Sequence, residues 1–155
     1  MFELTIEQSG MSNAGPFRDQ LIIKTSSPER PEVAITAFSQ VVDRVMVVPR
    51  RVSVGYVRSG APTMARRILV IAGGEDVEFD IESVAILPAA GGKPSPSGEG
   101  FEATFGHDGK NWWVDVKYDG TTRKPGIIEA VLLVRTSEAQ TPELRVPIRA
   151  TVRGS

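Results

Sequence analysis

The sequence predicts an all-β chain: a two-sheet antiparallel β-sandwich, preceded by the closing strands of a second one like it. Three observations lead there. Short runs rich in β-branched residues alternate apolar and polar positions with a period of two. Turn signals at Gly73-Gly74, His107-Asp108-Gly109 and Asp119-Gly120 separate those runs, and no helical periodicity is sustained for three turns. The third observation is that the chain reads nearly the same way twice, at a spacing of 111 residues, near its start and near its end.

The expected strands run in order through "ELTIEQ", "DQLIIKTS", "EVAITAF", "RVMVVP", "RVSVGYV", "RRILVIA", "VEFDIESVAI", "FEATF", "WWVDVKY", "AVLLVRTS" and "LRVPIRATV". Prolines 49, 62, 88, 125 and 142 fall between runs, where a missing N–H costs little, while Pro147 interrupts the last run and marks an edge position or a bulge. Residues 88–100, "PAAGGKPSPSGEG", are rich in Pro, Gly and Ser and predict a mobile loop between two strands.

The duplication sets the domain plan. Gly15 falls on Gly126, Leu21 on Leu132, Ile23 on Val134, Thr25-Ser26 on Thr136-Ser137, Pro31-Glu32 on Pro142-Glu143 and Ile35 on Val146, without a gap. With one residue inserted, Phe2 falls on Trp112, Leu4 on Val114, Ile6 on Val116 and Gly10 on Gly120. A period of this length suits a whole sandwich domain rather than a solenoid unit. Residues 1–41 therefore read as the last three strands of an upstream unit, and residues 42–153 as a complete one. The apolar faces of three strands without an opposing layer also predict that the N-terminal segment either folds down onto residues 42–153 or self-associates with that of a second chain.

Composition narrows the function classes. The chain has 155 residues, 41% of them hydrophobic and 24% charged, as expected of a folded domain. Eighteen Lys and Arg against nineteen Asp and Glu leave a net charge of -1, which gives no basis for nucleic-acid binding. Arg50-Arg51 and Arg66-Arg67 read as solvated positions. With no cysteine, disulfides and thiolate metal sites are excluded. No run is long and apolar enough for a membrane helix, and "MFELTIEQ" lacks the apolar stretch of a signal peptide.

The search for chemistry finds little. His107 is the only histidine, and beside Asp108-Gly109 it reads as a hairpin-turn residue rather than a metal ligand, since a metal wants three or four convergent donors. Glu75, Asp76, Glu78, Asp80 and Glu82 lack EF-hand spacing; the last three alternate with Val77, Phe79 and Ile81, as on a strand with one wet face. One His and no Cys leave no nucleophile–base pair of the usual kinds, so neither an enzyme nor a cofactor is expected. The candidate contact residue is Trp113. Trp112 is in phase with Val114 and Val116 and belongs to the core, so Trp113 should point outward, where it can stack on a sugar ring or meet a partner.

The segment "VMVVPRRVSVGYVRSG", with Pro49, Gly55 and Gly60, and the closing lines "GPFRDQLIIKTSSPERPEVAIT" and "GIIEAVLLVRTSEAQTPELRVPI" resemble a family of bacterial Ig-like domains of unknown function. That family is related to the PapD-like, major-sperm-protein-like and ASH-type sandwiches. "RRILVIAGGEDVEF" departs from its pattern by lacking an Asn-Gly step. The resemblance implies a non-catalytic structural or protein-interaction module from a tandem-domain protein of the periplasm or cell surface, with neighbouring Ig-like domains of the same chain as partners. Two alternatives stand beside it: a carbohydrate-binding module using Trp113, and a strand-pairing chaperone-like domain.

Overall fold

The computed structural model describes residues 3–7, 15–89, 91–95, 97–120 and 124–154. Phe2 and Gly10, two of the matched positions, lie outside them. The chain divides into two compact units, Met1–Asp43 and Arg44–Ser155, and no described residue is helical.

The first unit is a single hairpin. Strand β1 (Gly15–Lys24) pairs antiparallel with β2 (Glu32–Val41), with Leu21 opposite Ile35 and Ile23 opposite Val33. The third strand expected here does not form: residues 3–7 join no ladder. The reason lies in the second unit. The segment matching residues 3–7 there is a strand of the opposite sheet, and the described residues of the first unit offer no such sheet to join.

The second unit is an Ig-like sandwich. Its strands are β3 (Val45–Val48), β4 (Val52–Arg58), β5 (Arg66–Ala72), β6 (Ile81–Pro88), β7 (Ser97–Gly98), β8 (Phe101–Asp108), β9 (Asn111–Tyr118), β10 (Gly126–Thr136) and β11 (Glu143–Arg153). One sheet has the order β4-β11-β10-β6 and the other β3-β5-β9-β8-β7. Around the cis Val48–Pro49 bond the chain passes from one sheet to the other, so β3 and β4 serve different layers. Strand β4 runs parallel to β11, with a register shift beside Gly55, whose φ of 82° favours glycine. All other pairings are antiparallel.

Alternation decides what is buried. Ile68 and Val70 of β5, Phe101 and Ala103 of β8, and Val114, Val116 and Tyr118 of β9 face Ile86 of β6, Leu132 and Val134 of β10, and Val146 and Ile148 of β11. Phe101 and Tyr118 meet edge to face at 6.3 Å between ring centroids. Thr63 caps this end of the core, accepting from Tyr118 N through its hydroxyl at 3.1 Å and donating its own N–H to Tyr118 O at 3.0 Å. Among the described residues, every fully buried hydrophobic one belongs to the second unit.

The two hairpins share one register. Gly15 faces Val41 and Gly126 faces Val152, and each later Cα pair of β1–β2 recurs in β10–β11 at the 111-residue spacing. The connecting turns carry the same bonds: Thr25 N donates to Pro31 O at 2.8 Å and Thr136 N to Pro142 O at 3.0 Å. The Thr25 hydroxyl donates to Arg30 O and accepts from Ser27 N; the Thr136 hydroxyl donates to Thr141 O and accepts from Glu138 N. Even the outer faces correspond. Arg18 stacks on Phe38 in the first hairpin, where Glu129 pairs with Arg149 in the second.

The structure adds detail to three expectations. Residues 88–100 are not free of β-structure: Ser95 exchanges backbone bonds with Ile86, and Ser97–Gly98 forms β7 against β8. These contacts use backbone groups, to which a composition rich in Pro, Gly and Ser is no barrier. Residues 77–80 pair with no strand, although Val77 is buried and Glu78 and Asp80 exposed, as alternation required. Pro147 sits in the central strand β11, facing Val131 of β10, but the ladder to β4 begins only at Ile148. The proline is thus an edge residue locally, within a strand that is interior overall.

Candidate functional site

Two surfaces gather the chemistry-bearing side chains, and both are built on β9. The first is the outer face of the five-stranded sheet. Register places Trp113 between Leu69 of β5 and Gly106 of β8. The Arg67 guanidinium lies 4.2 Å from the centre of its ring and grips Asp115 through Nε and an Nη, each at 2.7 Å. Hydrogen bonding to Asp115 holds the Arg67 pKa above its ordinary value, and the attraction of the carboxylate adds to this. A Cβ on Gly106 would come within 2.4 Å of the indole, so the ring rests where a side chain would otherwise stand. Trp113 is consequently half-buried, not largely exposed: an arginine that alternation alone does not reveal covers an outward-pointing ring.

The second surface is a cleft of about 850 Å³ at one end of the sandwich. Trp112 has the core phase, yet it lies where the opposing sheet has run out, and it is half-buried with only part of its surface on the core. The His107 ring stands 4.8 Å from its centre and Phe105 6.3 Å. A tight turn at Gly109 and Lys110 joins β8 to β9, and a His107 Nδ1–Gly109 O contact of 3.3 Å steadies the imidazole. The loop before β6 supplies the facing wall: Val77 and Phe79 turn inward, while Glu75, Glu78 and Asp80 line the opening. Ser137 ties that loop down, its hydroxyl accepting from Asp80 N at 2.8 Å and its own N–H donating to Asp80 O at 3.0 Å.

The structure therefore brings together residues that the sequence leaves apart. His107 and the acidic segment share one cleft with Trp112, and Trp113 lies on the other side of the sheet. Phe79 and Phe105 were not singled out by sequence reasoning; their inward phase was the available signal. Among the described residues, no group of three His, Asp or Glu side chains could hold a metal ion together. Arg44 lies beside this loop without lining the cleft, joined to Glu138 at 3.0 Å and Asp76 at 3.7 Å.

Comparison with known proteins adds the fold and stops there. No family model matches the chain, and no curated protein does. Among solved structures it is similar to a protein of unknown function from Porphyromonas gingivalis W83, with 14% identity and a TM-score of 0.52, covering 93% of this chain and 68% of that one. It is also similar to the periplasmic chaperone SfaE, at 17% identity and a TM-score of 0.50, over 71% of this chain and 58% of the chaperone. At such identities the likeness is one of architecture: this chain shares a β-sandwich fold with these structures.

Proposed function

We propose that this chain is a non-catalytic Ig-like module acting through protein contact, cut from a tandem array in an extracytoplasmic protein. Residues 1–41 are the closing part of one unit and residues 42–153 the next. The observation that carries this reading is the shared register of the two hairpins. Leu132, Val134, Val146 and Ile148 are at most 1% exposed beneath the opposing sheet. Their counterparts Leu21, Ile23, Ile35 and Ala37 have the same phase and register in a two-stranded sheet with no layer over it among the described residues of that unit. A hairpin built to be covered by a sandwich, without the sandwich, is the expected remnant of a preceding domain. The periplasmic setting of one fold neighbour is in keeping with an extracytoplasmic location.

A strand-pairing, chaperone-like role is the second reading. It rests on the fold neighbour and on the outer edges of β1 and β2, which pair with no other strand among the described residues. A sugar-binding role for Trp113 is weakened, because Arg67 and Gly106 already occupy its surroundings.

Truncation tests the array reading. Residues 44–155 alone should give a soluble domain that melts cooperatively within a few degrees of the intact chain, whereas residues 1–43 alone should be unfolded or aggregate. Failure of the 44–155 fragment to fold would mean that the hairpin completes this sandwich, and the array would have to be abandoned.

A further inference from the structure

Three surface aromatic rings carry an arginine: Trp113 carries Arg67 at 4.2 Å, Tyr56 carries Arg153 at 4.0 Å and Phe38 carries Arg18 at 5.2 Å. Trp112 carries none, like the part-exposed rings of Phe17 and Phe105, and differs from those two in standing in a cleft, with the His107 ring 4.8 Å away. It is a half-buried indole at the floor of an open cleft, with no guanidinium or ammonium stacked on it among the described residues. Around the mouth stand Glu75, Glu78 and Asp80, none of which forms an ion pair among the described residues. Lys110 and His107 are the basic groups of the lining, and Arg44 beside it is taken up by Asp76 and Glu138, so the carboxylates outnumber the basic groups.

We infer that the cleft formed by Trp112, Phe79 and His107 beneath Glu75, Glu78 and Asp80 receives an arginine side chain presented by a partner protein. This deepens the protein-contact reading and rests on it. A cation over an indole face is attracted by the ring quadrupole, most strongly where the pair is drawn out of water. Carboxylates at the rim add charge complementarity, which steers the encounter and fixes orientation. The occupant is an extended organic cation rather than a metal, because among the described residues no three acidic or histidine groups converge. Guanidinium suits the site by its planarity, its fork of donors and its weak hydration. The cleft volume of about 850 Å³ exceeds what one side chain fills, so flanking backbone of the partner enters with it.

The test uses the intact chain, labelled with nitrogen-15, and two tripeptide probes: acetyl-Gly-Arg-Gly-amide and its citrulline analogue, which keeps the shape and loses the charge. The arginine probe should shift the Trp112 indole N–H and the amides of Glu78 and Gly109 with a saturable curve, and the citrulline probe should bind at least 10-fold more weakly. The Glu78→Gln/Asp80→Asn double variant, altered at two exposed side chains, should weaken arginine binding by about 10-fold. Asp115→Asn, on the other face of the sheet, should leave it unchanged. Equal binding of the two probes, shifts confined to Trp113 and Asp115, or no saturable shift at all would each overturn the inference. The array reading would survive any of these results, since the truncation described above decides it separately.

Discussion

A matched pair of substitutions measures what covering a β-hairpin is worth. Leu21 and Leu132 occupy the same place in two hairpins of identical register, opposite Ile35 and Val146 respectively. Leu132 is 0% exposed, is flanked by Ile86 on the neighbouring strand and faces the second sheet; Leu21 is half-buried. Leu132→Ala removes buried methyl groups and leaves a cavity in a closed core, at a cost of about 2–5 kcal/mol. For a domain of this size that lowers the melting temperature by roughly 10 °C or more, at ~4 °C for each kcal/mol. Leu21→Ala loses a cross-strand contact on a face that no second sheet of its own unit covers among the described residues, worth at most about 1 kcal/mol. Because none of the fully buried core lies in that unit, the main transition should stay within about 2 °C. Thermal unfolding followed by circular dichroism compares the two variants directly. A Leu21→Ala variant as damaged as Leu132→Ala would show that the first hairpin is covered in solution, and the reasoning from its open face would fail.

Two further expectations are narrower. Gly106→Ala should destabilise the chain by about 1–3 kcal/mol, because the new methyl group displaces the indole of Trp113. In a Trp113→Leu background the same change should cost less, and equal costs in urea melts would separate Gly106 from the ring. Within residues 88–100, Ser95, Ser97 and Gly98 should show nitrogen-15 order parameters close to those of β10, with residues 91–94 lower; uniformly low values across the segment would contradict the bonds to Ile86 and β8.

Strand existence and phase were readable because a period of two survives in the residue types themselves. Val114, Val116 and Tyr118 of β9, or Leu132 and Val134 of β10, announce their inward direction without any structure. Partnership is a different matter. Which strands lie side by side is set by pairing across long sequence separations, and that decides that Arg67 meets Asp115 and covers Trp113. The same gap explains the cleft: His107 near the end of β8, Phe79 in the loop before β6 and Ser137 after β10 meet only once both sheets are in place. β7 was illegible for another reason, since Ser97–Gly98 pairs through backbone with no side-chain signature. Residues 3–7 carry a proper strand pattern and form none, because a pattern states which face is apolar and cannot supply the sheet that would use it.

The parallel pairing of β4 with β11 has a mechanical consequence. These two strands are the first and last of the four-stranded sheet's chain order, and they run in the same direction. Tension applied between the start of β4 and the end of β11 would draw the two strands past each other along their length. The bonds from Val52–Ile148 to Arg58–Arg153 would then share the load together, as a seam pulled lengthwise does, instead of opening one after another like a zip. The register shift beside Gly55 is the one irregularity in that seam, and under force it is the place where slippage would begin.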